Sequence, residues 1–203
     1  MNRSTNRYYL RSESTFSPLT PSVVRKILLK ATVYIATTLD GFIARENGDI
    51  DWLPTEADSG EDYGYAAFMQ TVDALIMGRN TFEKVLTFGD WPYSKKPVVV
   101  LSSQTVGIPA HLADSVEWMT GATPDIVARL AARGYRHLYI DGGVTVQRFL
   151  EAGLIHRLII SRIPVLIGRG IPLFGPLRQD VTLRHIETRH YPNGIVQSEY
   201  AID

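Results

Sequence analysis

Three segments of this sequence bring together residue types that can bind a phosphate group. The first is residues 78–81 (GRNT), where an apolar run ends at Gly78 and a helical pattern begins. A glycine lets a ligand approach the backbone, and the free N–H groups at a helix start favour an anion. Arg79 adds a planar guanidinium suited to phosphate, and Thr81 adds a hydroxyl. The same residues could instead be an exposed arginine and a helix cap.

The second segment is a pair of serines at the end of a strand pattern. Ser102 and Ser103 follow residues 97–101 (PVVVL), which predict a buried strand. Two hydroxyls that emerge from a strand end can bind an anion. Serines in such places also often do no more than cap a turn.

The third segment is residues 141–145 (DGGVT), between a strand pattern and a helix pattern. Gly142 and Gly143 would expose successive N–H donors with no Cβ in the way, which can cradle a pyrophosphate. Val144 and Thr145 would open the helix that follows. A plain tight turn would have the same sequence.

The elements that must position these segments alternate along the chain. In order they are strand 31–37, helix 61–72, strand 74–77, a helix from Asn80, strand 97–101, a helix from Thr123 to Gly134, strand 137–140, helix 144–152 and strand 154–163. Strands 181–187 and 195–202 are predicted to pair across the turn 191–194 (YPNG). Asn80 and Glu83 have the spacing of a capping box. This order predicts an α/β fold with a mostly parallel central sheet flanked by helices and an antiparallel C-terminal edge.

All three segments would then lie together, because the carboxyl ends of parallel strands meet at one edge of a sheet, where ligands collect. The usual motifs for such ligands are nevertheless absent. The sequence contains no dinucleotide fingerprint G-x-G-x-x-G, no nucleoside-triphosphate loop G-x-x-x-x-G-K-[ST] and no acyl-enzyme motif G-x-S-x-G. A nucleotide cofactor would therefore be held in another way.

The composition excludes several classes of protein and site. In 203 residues, 21 acidic and 21 basic side chains balance, so no overall charge favours nucleic acid or an anionic membrane. No apolar run reaches the roughly 20 residues that span a bilayer. The absence of cysteine removes disulfides and thiolate zinc sites, and it fits a cytoplasmic protein. The five histidines lack metal-ligand spacing, so we predict no metal site.

Residues 1–25 differ in character from the rest of the chain. They are rich in Ser, Thr, Arg and Tyr, and Glu13 is their only acid. We expect a flexible N-terminal extension there, with an organellar address as the alternative. Residues 26–203 show no internal repeat or linker and predict one domain.

Four stretches resemble the dihydrofolate reductase superfamily, with a match from about residue 29 to residue 202. They are YIATTLDGFIARENGDIDWL at 34–53, MGRNTFE at 77–83, VVVLSS at 98–103 and IDGGVTVQRFL at 140–150. Residues 91–93 (WPY) and 167–174 (IGRGIPLF) make the chain most similar to the reductase domain of the bifunctional riboflavin-biosynthesis deaminase–reductase and to its stand-alone bacterial relatives. The resemblance implies the dihydrofolate reductase-like fold.

The resemblance also implies NADPH as the cofactor. Ala36 would offer backbone groups to the nicotinamide carboxamide. Arg79, with Ser102 or Ser103, would hold the adenosine 2′-phosphate, and Thr81 would touch the pyrophosphate.

The paired glycines Gly142 and Gly143 would follow the pyrophosphate, in the family through a cis Gly-Gly bond. The other residues expected at the cofactor are Gly78, Val144 and Thr145. Those expected at the substrate are Trp52, Tyr63 and Trp91.

The reaction implied is hydride transfer from NADPH to a pyrimidine- or pterin-like heterocycle. The family's default substrate is 5-amino-6-(5-phosphoribosylamino)uracil, an intermediate of riboflavin biosynthesis. The zinc deaminase half of the bifunctional protein has no counterpart in these residues, since its signature needs cysteines. Alternatives are dihydrofolate reduction and a nucleotide-binding module without turnover. Asp141, where folate enzymes usually have a third glycine, and the loop 47–51 argue against folate.

Asp62 is the candidate acid that orients and helps protonate the substrate. It starts the predicted helix 61–72, seventeen positions before Arg79, which resembles the placement of the pocket carboxylate in folate enzymes. A carboxylate that faces a cofactor ring in a partly dry cleft would have a raised pKa. An acid in a first helical turn also stabilises the helix dipole, and Glu61 or Asp58 could serve equally.

We also expect a homodimer. Residues 154–160 and the last hairpin would leave an apolar antiparallel edge, which natural proteins usually cover. The stand-alone relatives pair through this region, and a two-fold interface is the commonest arrangement.

Overall fold

The computed structural model describes residues 29–54 and 60–202, so the predicted extension 1–25 lies outside it. The strands are β1 Lys30–Thr38, β2 Phe42–Ala44, β3 Ala74–Gly78, β4 Val98–Leu101, β5 Val116–Met119, β6 His137–Asp141, β7 Arg157–Ile163, β8 Ile171–Pro172, β9 Leu183–His190 and β10 Val196–Ile202. Eight of them form a sheet in the order β5-β4-β3-β6-β1-β7-β10-β9, and β2 pairs with β8.

The large sheet is parallel except at its C-terminal edge. β1 runs parallel to β6 and β7, and β3 runs parallel to β4 and β6. β10 is antiparallel to both β7 and β9. The parallel strands read as near-continuous apolar runs because helices cover both of their faces. The predicted fold class is confirmed.

The helices of the described residues are α1 Tyr65–Thr71, α2 Arg79–Leu86, α3 Thr123–Ala132 and α4 Gly143–Glu151. α2 begins one residue earlier than expected, with Gly78 as its N-cap and without a side-chain cap. The predicted capping box of Asn80 and Glu83 is therefore wrong, and the Glu83 carboxylate instead lies 3.7 Å from Arg79 Nε. No helix in the described ranges is long and apolar enough to cross a bilayer.

The helices divide between the two faces of the sheet. Buried side chains of α3 and α4 pack on one face with Leu138 and Ile140 of β6. Buried side chains of α1 and α2 pack on the other face with Tyr139. The chain thus leaves β3 toward one face and leaves β6 toward the other, although the two strands are paired. Open α/β sheets bind their ligands at such a switch point.

The small β2–β8 sheet was not predicted, because neither strand is long enough to show periodicity. It is tied to the large sheet through Asp40, in the loop after β1. The Asp40 carboxylate accepts hydrogen bonds from the backbone N–H groups of Ile167 and Gly168 at 3.1 and 2.8 Å. These bonds fix the loop that precedes β8.

The C-terminal hairpin forms as predicted, but the exposed edge of the sheet differs. Gly194, at φ 85°, closes the turn and donates its N–H to the Tyr191 carbonyl at 2.9 Å. β7 lies inside the sheet between β1 and β10, so the predicted apolar edge at 154–160 is wrong. The edge strand is β9, whose mostly exposed side chains are charged as well as apolar, with Leu183 and Ile186 among the apolar ones.

Candidate active site

The three candidate phosphate-binding segments lie side by side, because they follow the neighbouring strands β4, β3 and β6. Arg79 Nη1 donates a hydrogen bond to the side-chain oxygen of Gln104 at 2.6 Å. The Gln104 N–H in turn donates to the Ser102 hydroxyl at 3.0 Å. The structure therefore joins Arg79 to the serine segment, in which Ser103 is exposed.

The first and third segments meet at the switch point between β3 and β6. A Cβ added to Gly78 would lie 3.1 Å from the Thr145 hydroxyl oxygen, and one added to Gly142 would overlap the Thr81 hydroxyl. Gly142 also has φ 85°, which favours glycine. The starts of α2 and α4 therefore meet with two glycines and two hydroxyls between them. Free N–H groups and the positive dipole ends of both helices favour an anion here.

Gly143 has a different environment from the one predicted. Its added Cβ would lie 3.1 Å from Ile43 Cδ1 and 3.3 Å from Ile171 Cγ2, so the small sheet covers it. Its φ is not positive, and no peptide bond in the described residues is cis. The expected cis Gly142–Gly143 bond is therefore wrong. In this structure the missing side chain of Gly143 serves packing, and its contact with a cofactor stays a prediction.

The other predicted cofactor residues lie along the same edge of the sheet. Val144, in the first turn of α4, is 59% exposed although it is apolar, whereas Thr145 is buried. Ala36, near the carboxyl end of β1, is paired with Ser161 of β7 and is partly exposed.

One carboxyl group stands at the end of β6, directly before the glycine turn. Burial raises the pKa of Asp141 to about 6, although the hydrogen bond that it accepts from the Gly142 N–H at 2.7 Å opposes the shift. Burial, and then the charge of Asp141, raises the pKa of Tyr65, Tyr93 and Tyr139, so these phenols lie near enough to interact with its charge. A carboxyl group that titrates near neutral pH is suited to general acid catalysis.

Asp62 does not have the raised pKa that was expected. Its carboxylate accepts hydrogen bonds from the backbone N–H groups of Gly64 at 2.9 Å and Ala66 at 3.1 Å. These bonds hold the pKa of Asp62 below its ordinary value, and the residue is exposed. α1 also starts at Tyr65 rather than at Glu61, because Gly64, at φ 88°, turns the chain first.

Tyr63 is held in a strained conformation by the C-terminal hairpin. It has φ 55°, which a bulky residue rarely adopts. Its carbonyl accepts hydrogen bonds from the Tyr34 hydroxyl at 2.7 Å and the Gln197 amide at 3.2 Å. Its hydroxyl accepts one from the Asn193 amide at 2.7 Å, and its ring meets Tyr191 edge-on at 4.8 Å. Such strain persists only where the surroundings enforce it, and it is typical of functional sites.

Trp52 and Trp91, the other predicted substrate residues, each have a buried indole N–H without a hydrogen-bond partner in the described structure. The Trp91 ring lies 5.1 Å from Tyr93 and 5.8 Å from Phe82, between ring centroids. An unpaired buried donor costs free energy, so it fits a partner that a bound ligand would supply. No group of three or more His, Asp or Glu side chains in the described ranges could hold a metal ion.

Comparison with known proteins agrees with this arrangement. The family described as the RibD C-terminal domain matches residues 30–197. The chain belongs to this family. The Bacillus subtilis (strain 168) protein YwjB is 38% identical over 170 residues, which are 82% of this chain and 94% of YwjB. YyaP of the same organism is 26% identical over 190 residues, 87% of this chain and 94% of YyaP.

Solved structures of RibD-like proteins have the same fold. A putative riboflavin biosynthesis protein from Shewanella sp. PV-4 is 42% identical, with a TM-score of 0.80, over 86% of this chain and 99% of that one. The Thermotoga maritima diaminohydroxyphosphoribosylaminopyrimidine deaminase/5-amino-6-(5-phosphoribosylamino)uracil reductase is 15% identical, with a TM-score of 0.67, over 86% of this chain and 57% of that one. Dihydrofolate reductase from Enterococcus faecalis, solved with NADP(H), is 19% identical, with a TM-score of 0.60, over 87% of this chain and 97% of that one. The expected relation to the riboflavin-biosynthesis reductase domain and the dihydrofolate reductase-like fold are confirmed, and the family supports a reductase-type role.

Three residues of this RibD C-terminal domain were not singled out as functional from the sequence. Asp141 attracted notice only as a replacement for glycine, although an acid at a strand end beside paired glycines is a detectable signal. Gln104 meets Arg79 across 25 residues, and Gln197 meets Tyr63 across 134 residues. No local pattern reveals contacts of that separation.

Proposed function

We propose that the protein is an NADPH-dependent reductase that transfers hydride to a pyrimidine- or pterin-like heterocycle. The observation that carries the proposal is the meeting of the starts of α2 and α4, where Gly78 and Gly142 face threonine hydroxyls. A side chain at either glycine would collide with these hydroxyls, so the two glycines are what allow the starts of the helices to come together. Two helix starts in one place favour a doubly charged group such as a pyrophosphate.

The residues around these two helix starts fit the other parts of NADPH. The Arg79 guanidinium, next to Gln104 and 40% exposed, offers a planar donor set for the 2′-phosphate. Ser102 and Ser103 would complete that site. The backbone of Ala36, at the end of β1, would receive the nicotinamide carboxamide, and the exposed Val144 would be covered.

We assign proton transfer to Asp141. When bound, NADPH supplies a hydride to an electron-poor carbon of a C=N or C=O group and becomes NADP⁺. The adjoining nitrogen or oxygen then takes up one proton, so the substrate gains two hydrogens. With a pKa of about 6, the Asp141 carboxyl can hold that proton near neutral pH and regain it from solvent. Asp62, whose pKa is lowered, would orient the substrate by its charge.

We further propose a homodimer, and we expect it in the cytoplasm because the chain lacks cysteine. The edge strand β9 presents the apolar side chains of Leu183 and Ile186, 39% and 46% exposed, which a second copy could cover. Light scattering at micromolar concentration should give about twice the chain mass of 22.7 kDa. The mass of a single chain would contradict the dimer.

The reductase proposal is tested by following NADPH absorbance after adding pyrimidines, pterins, folates and ribosylated pyrimidines to the full chain. We expect at least one compound to be reduced, with NADH a poor replacement. Binding of NADPH without turnover of any compound would favour a nucleotide-binding module. Failure to bind NADPH would contradict the proposal.

A further inference from the structure

The guanidinium group of Arg79 is held by a neutral side chain. Arg79 Nη1 donates its hydrogen bond at 2.6 Å to the amide oxygen of Gln104, which is uncharged. The carboxylate of Glu83, four residues further along α2, lies 3.7 Å from Arg79 Nε, and its side chain is 60% exposed. A contact of that length between exposed groups is weak. Gln104 therefore orients the guanidinium, while most of its positive charge is left without a counter-ion.

Arginines elsewhere in the described ranges have a different kind of partner, a carboxylate oxygen at 2.5 to 2.8 Å. They are Arg45, Arg133, Arg157, Arg178 and Arg189. A carboxylate at that distance neutralises the guanidinium and occupies donors that a phosphate would use. An anionic ligand would have to displace it. At Arg79 an anionic ligand would meet a guanidinium that is already oriented and still charged.

Gln104 is itself fixed by the edge of the large sheet. Its backbone N–H donates to the Ser102 hydroxyl at 3.0 Å. The Ser102 N–H donates to the Met119 carbonyl at 3.1 Å, and the indole N–H of Trp118 donates to the Ser102 carbonyl at 2.9 Å. Met119 and Trp118 belong to β5, which pairs with β4. The turn that carries Gln104 is thus attached to two strands, so the amide has a defined position beside Arg79.

We propose that Gln104 is a specificity-determining residue of the cofactor site. Its amide oxygen positions the guanidinium of Arg79 and, because it is neutral, leaves the charge of Arg79 for the 2′-phosphate of NADPH. The inference rests on the proposed reductase function and deepens it, since it assigns the choice between NADPH and NADH to the partner of Arg79 as well as to Arg79. Gln104 is a positioning residue, because it acts through Arg79.

Two substitutions separate the position of Arg79 from its charge. Gln104→Leu removes the amide oxygen and adds no charge, so the affinity for NADPH should fall about threefold to tenfold. Gln104→Glu gives Arg79 a carboxylate partner that also repels the 2′-phosphate, so the affinity for NADPH should fall at least about thirtyfold. That larger loss should shrink as salt screens the added charge. The affinity for NADH, which has no 2′-phosphate, should stay nearly unchanged in both variants.

The experiment is calorimetric titration of NADPH and of NADH into the full chain, as wild type and as each variant. Gln70→Glu is the matched control for the added charge. Gln70 is exposed near the end of α1, which precedes the amino end of β3, whereas Arg79 follows the carboxyl end of that strand. The control should keep the wild-type ratio of the two affinities. The proposal would be overturned if both Gln104 variants kept that ratio, or if Gln70→Glu lowered it as much as Gln104→Glu.

A second comparison tests whether Gln104 acts through Arg79. In the Arg79→Ala background, Gln104→Leu should lower the affinity for NADPH by less than about twofold, because the residue that it positions is gone. A loss of the same size with and without Arg79 would overturn the proposal. Failure of the wild type to bind NADPH would contradict the reductase function and this inference together. A wild type that prefers NADPH, with Gln104 variants that keep the preference, would contradict this inference alone.

Discussion

The cofactor side and the substrate side of this site are built in different ways. On the cofactor side, each strand passes directly into a glycine or serine and then into a helix or turn, and the parallel sheet alone brings these short motifs together. On the substrate side, Tyr63 is fixed by Tyr34, Asn193 and Gln197, which come from opposite ends of the chain. The cofactor side should therefore fail when one local residue changes. The substrate side should respond gradually to the loss of single distant contacts.

Gly142→Ala should have the largest effect. The new Cβ would overlap the Thr81 hydroxyl, and the backbone at φ 85° and ψ 142°, which glycine alone adopts readily, would cost about 1–3 kcal/mol. We expect NADPH affinity, measured by fluorescence titration, to fall at least about a hundredfold.

Gly134→Ala is the matched control for this change. Gly134 follows α3 at φ 97°, but nothing lies within 4 Å of its added Cβ. The variant should lose stability and keep its NADPH affinity. Equal losses of affinity in both variants would mean that backbone strain, not the collision with Thr81 where the two helix starts meet, is responsible.

Arg79→Ala should weaken NADPH binding by about one to two powers of ten and leave NADH binding nearly unchanged. The reason is that the 2′-phosphate, present only in NADPH, loses a charge-assisted hydrogen bond. Parallel titrations of both cofactors check this. Equal losses of affinity for the two cofactors would show that Arg79 does not bind the 2′-phosphate.

Asp141→Asn should lower turnover at least about tenfold, whereas Asp62→Asn should lower it less. Turnover of the wild-type protein should fall as pH rises through about 6, since the proton on Asp141 is then lost. If turnover does not fall as pH rises through about 6, or if Asp62→Asn lowers turnover more than Asp141→Asn does, the proton donor is Asp62 instead.

The same carboxyl predicts a pH dependence of stability. The pKa of Asp141 is raised from 3.8 to about 6 in the folded state, so its protonated form favours folding. The stabilisation is complete below about pH 4 and is lost as pH rises through about 6. Above about pH 7, Asp141→Asn should therefore be more stable than wild type by roughly 2 kcal/mol, measured by urea unfolding. Equal stability of the two proteins at high pH would show that Asp141 is not buried as described.

Gln197→Leu should have the smallest effect. The Gln197 amide lies within hydrogen-bonding distance of the Tyr34 hydroxyl, the Tyr63 carbonyl and the Ser161 hydroxyl, at 3.1, 3.2 and 3.0 Å. Without it the start of α1 would relax, and KM for the substrate should rise about threefold to tenfold at unchanged NADPH affinity. A loss of NADPH affinity instead would show that the two sides are not independent.

The difference between the two sides also explains what the sequence could predict. Strand-to-glycine transitions at Gly78 and Gly142 are local patterns, and they were found at the right places together with the alternating order of strands and helices. The capping box predicted at Asn80 does not form, because Gly78 ends β3 in an extended conformation and α2 begins at the next residue. The prediction of a raised pKa for Asp62 was wrong, because α1 starts only after Gly64 and two backbone N–H groups are free to donate to that carboxylate.

The identity of the edge strand also could not be predicted from local sequence patterns. An apolar run such as that of β7 indicates burial, but it does not say which neighbour covers it. That depends on β10, which pairs with β7 from some forty residues further along the chain.

The central claim is that the starts of α2 and α4, together with Arg79, bind NADPH. The most direct measurement is calorimetric titration of NADPH and of NADH into the full chain at one salt concentration. The account predicts one NADPH per chain and at least about tenfold weaker binding of NADH. Equal affinities, or no binding of NADPH, would contradict it.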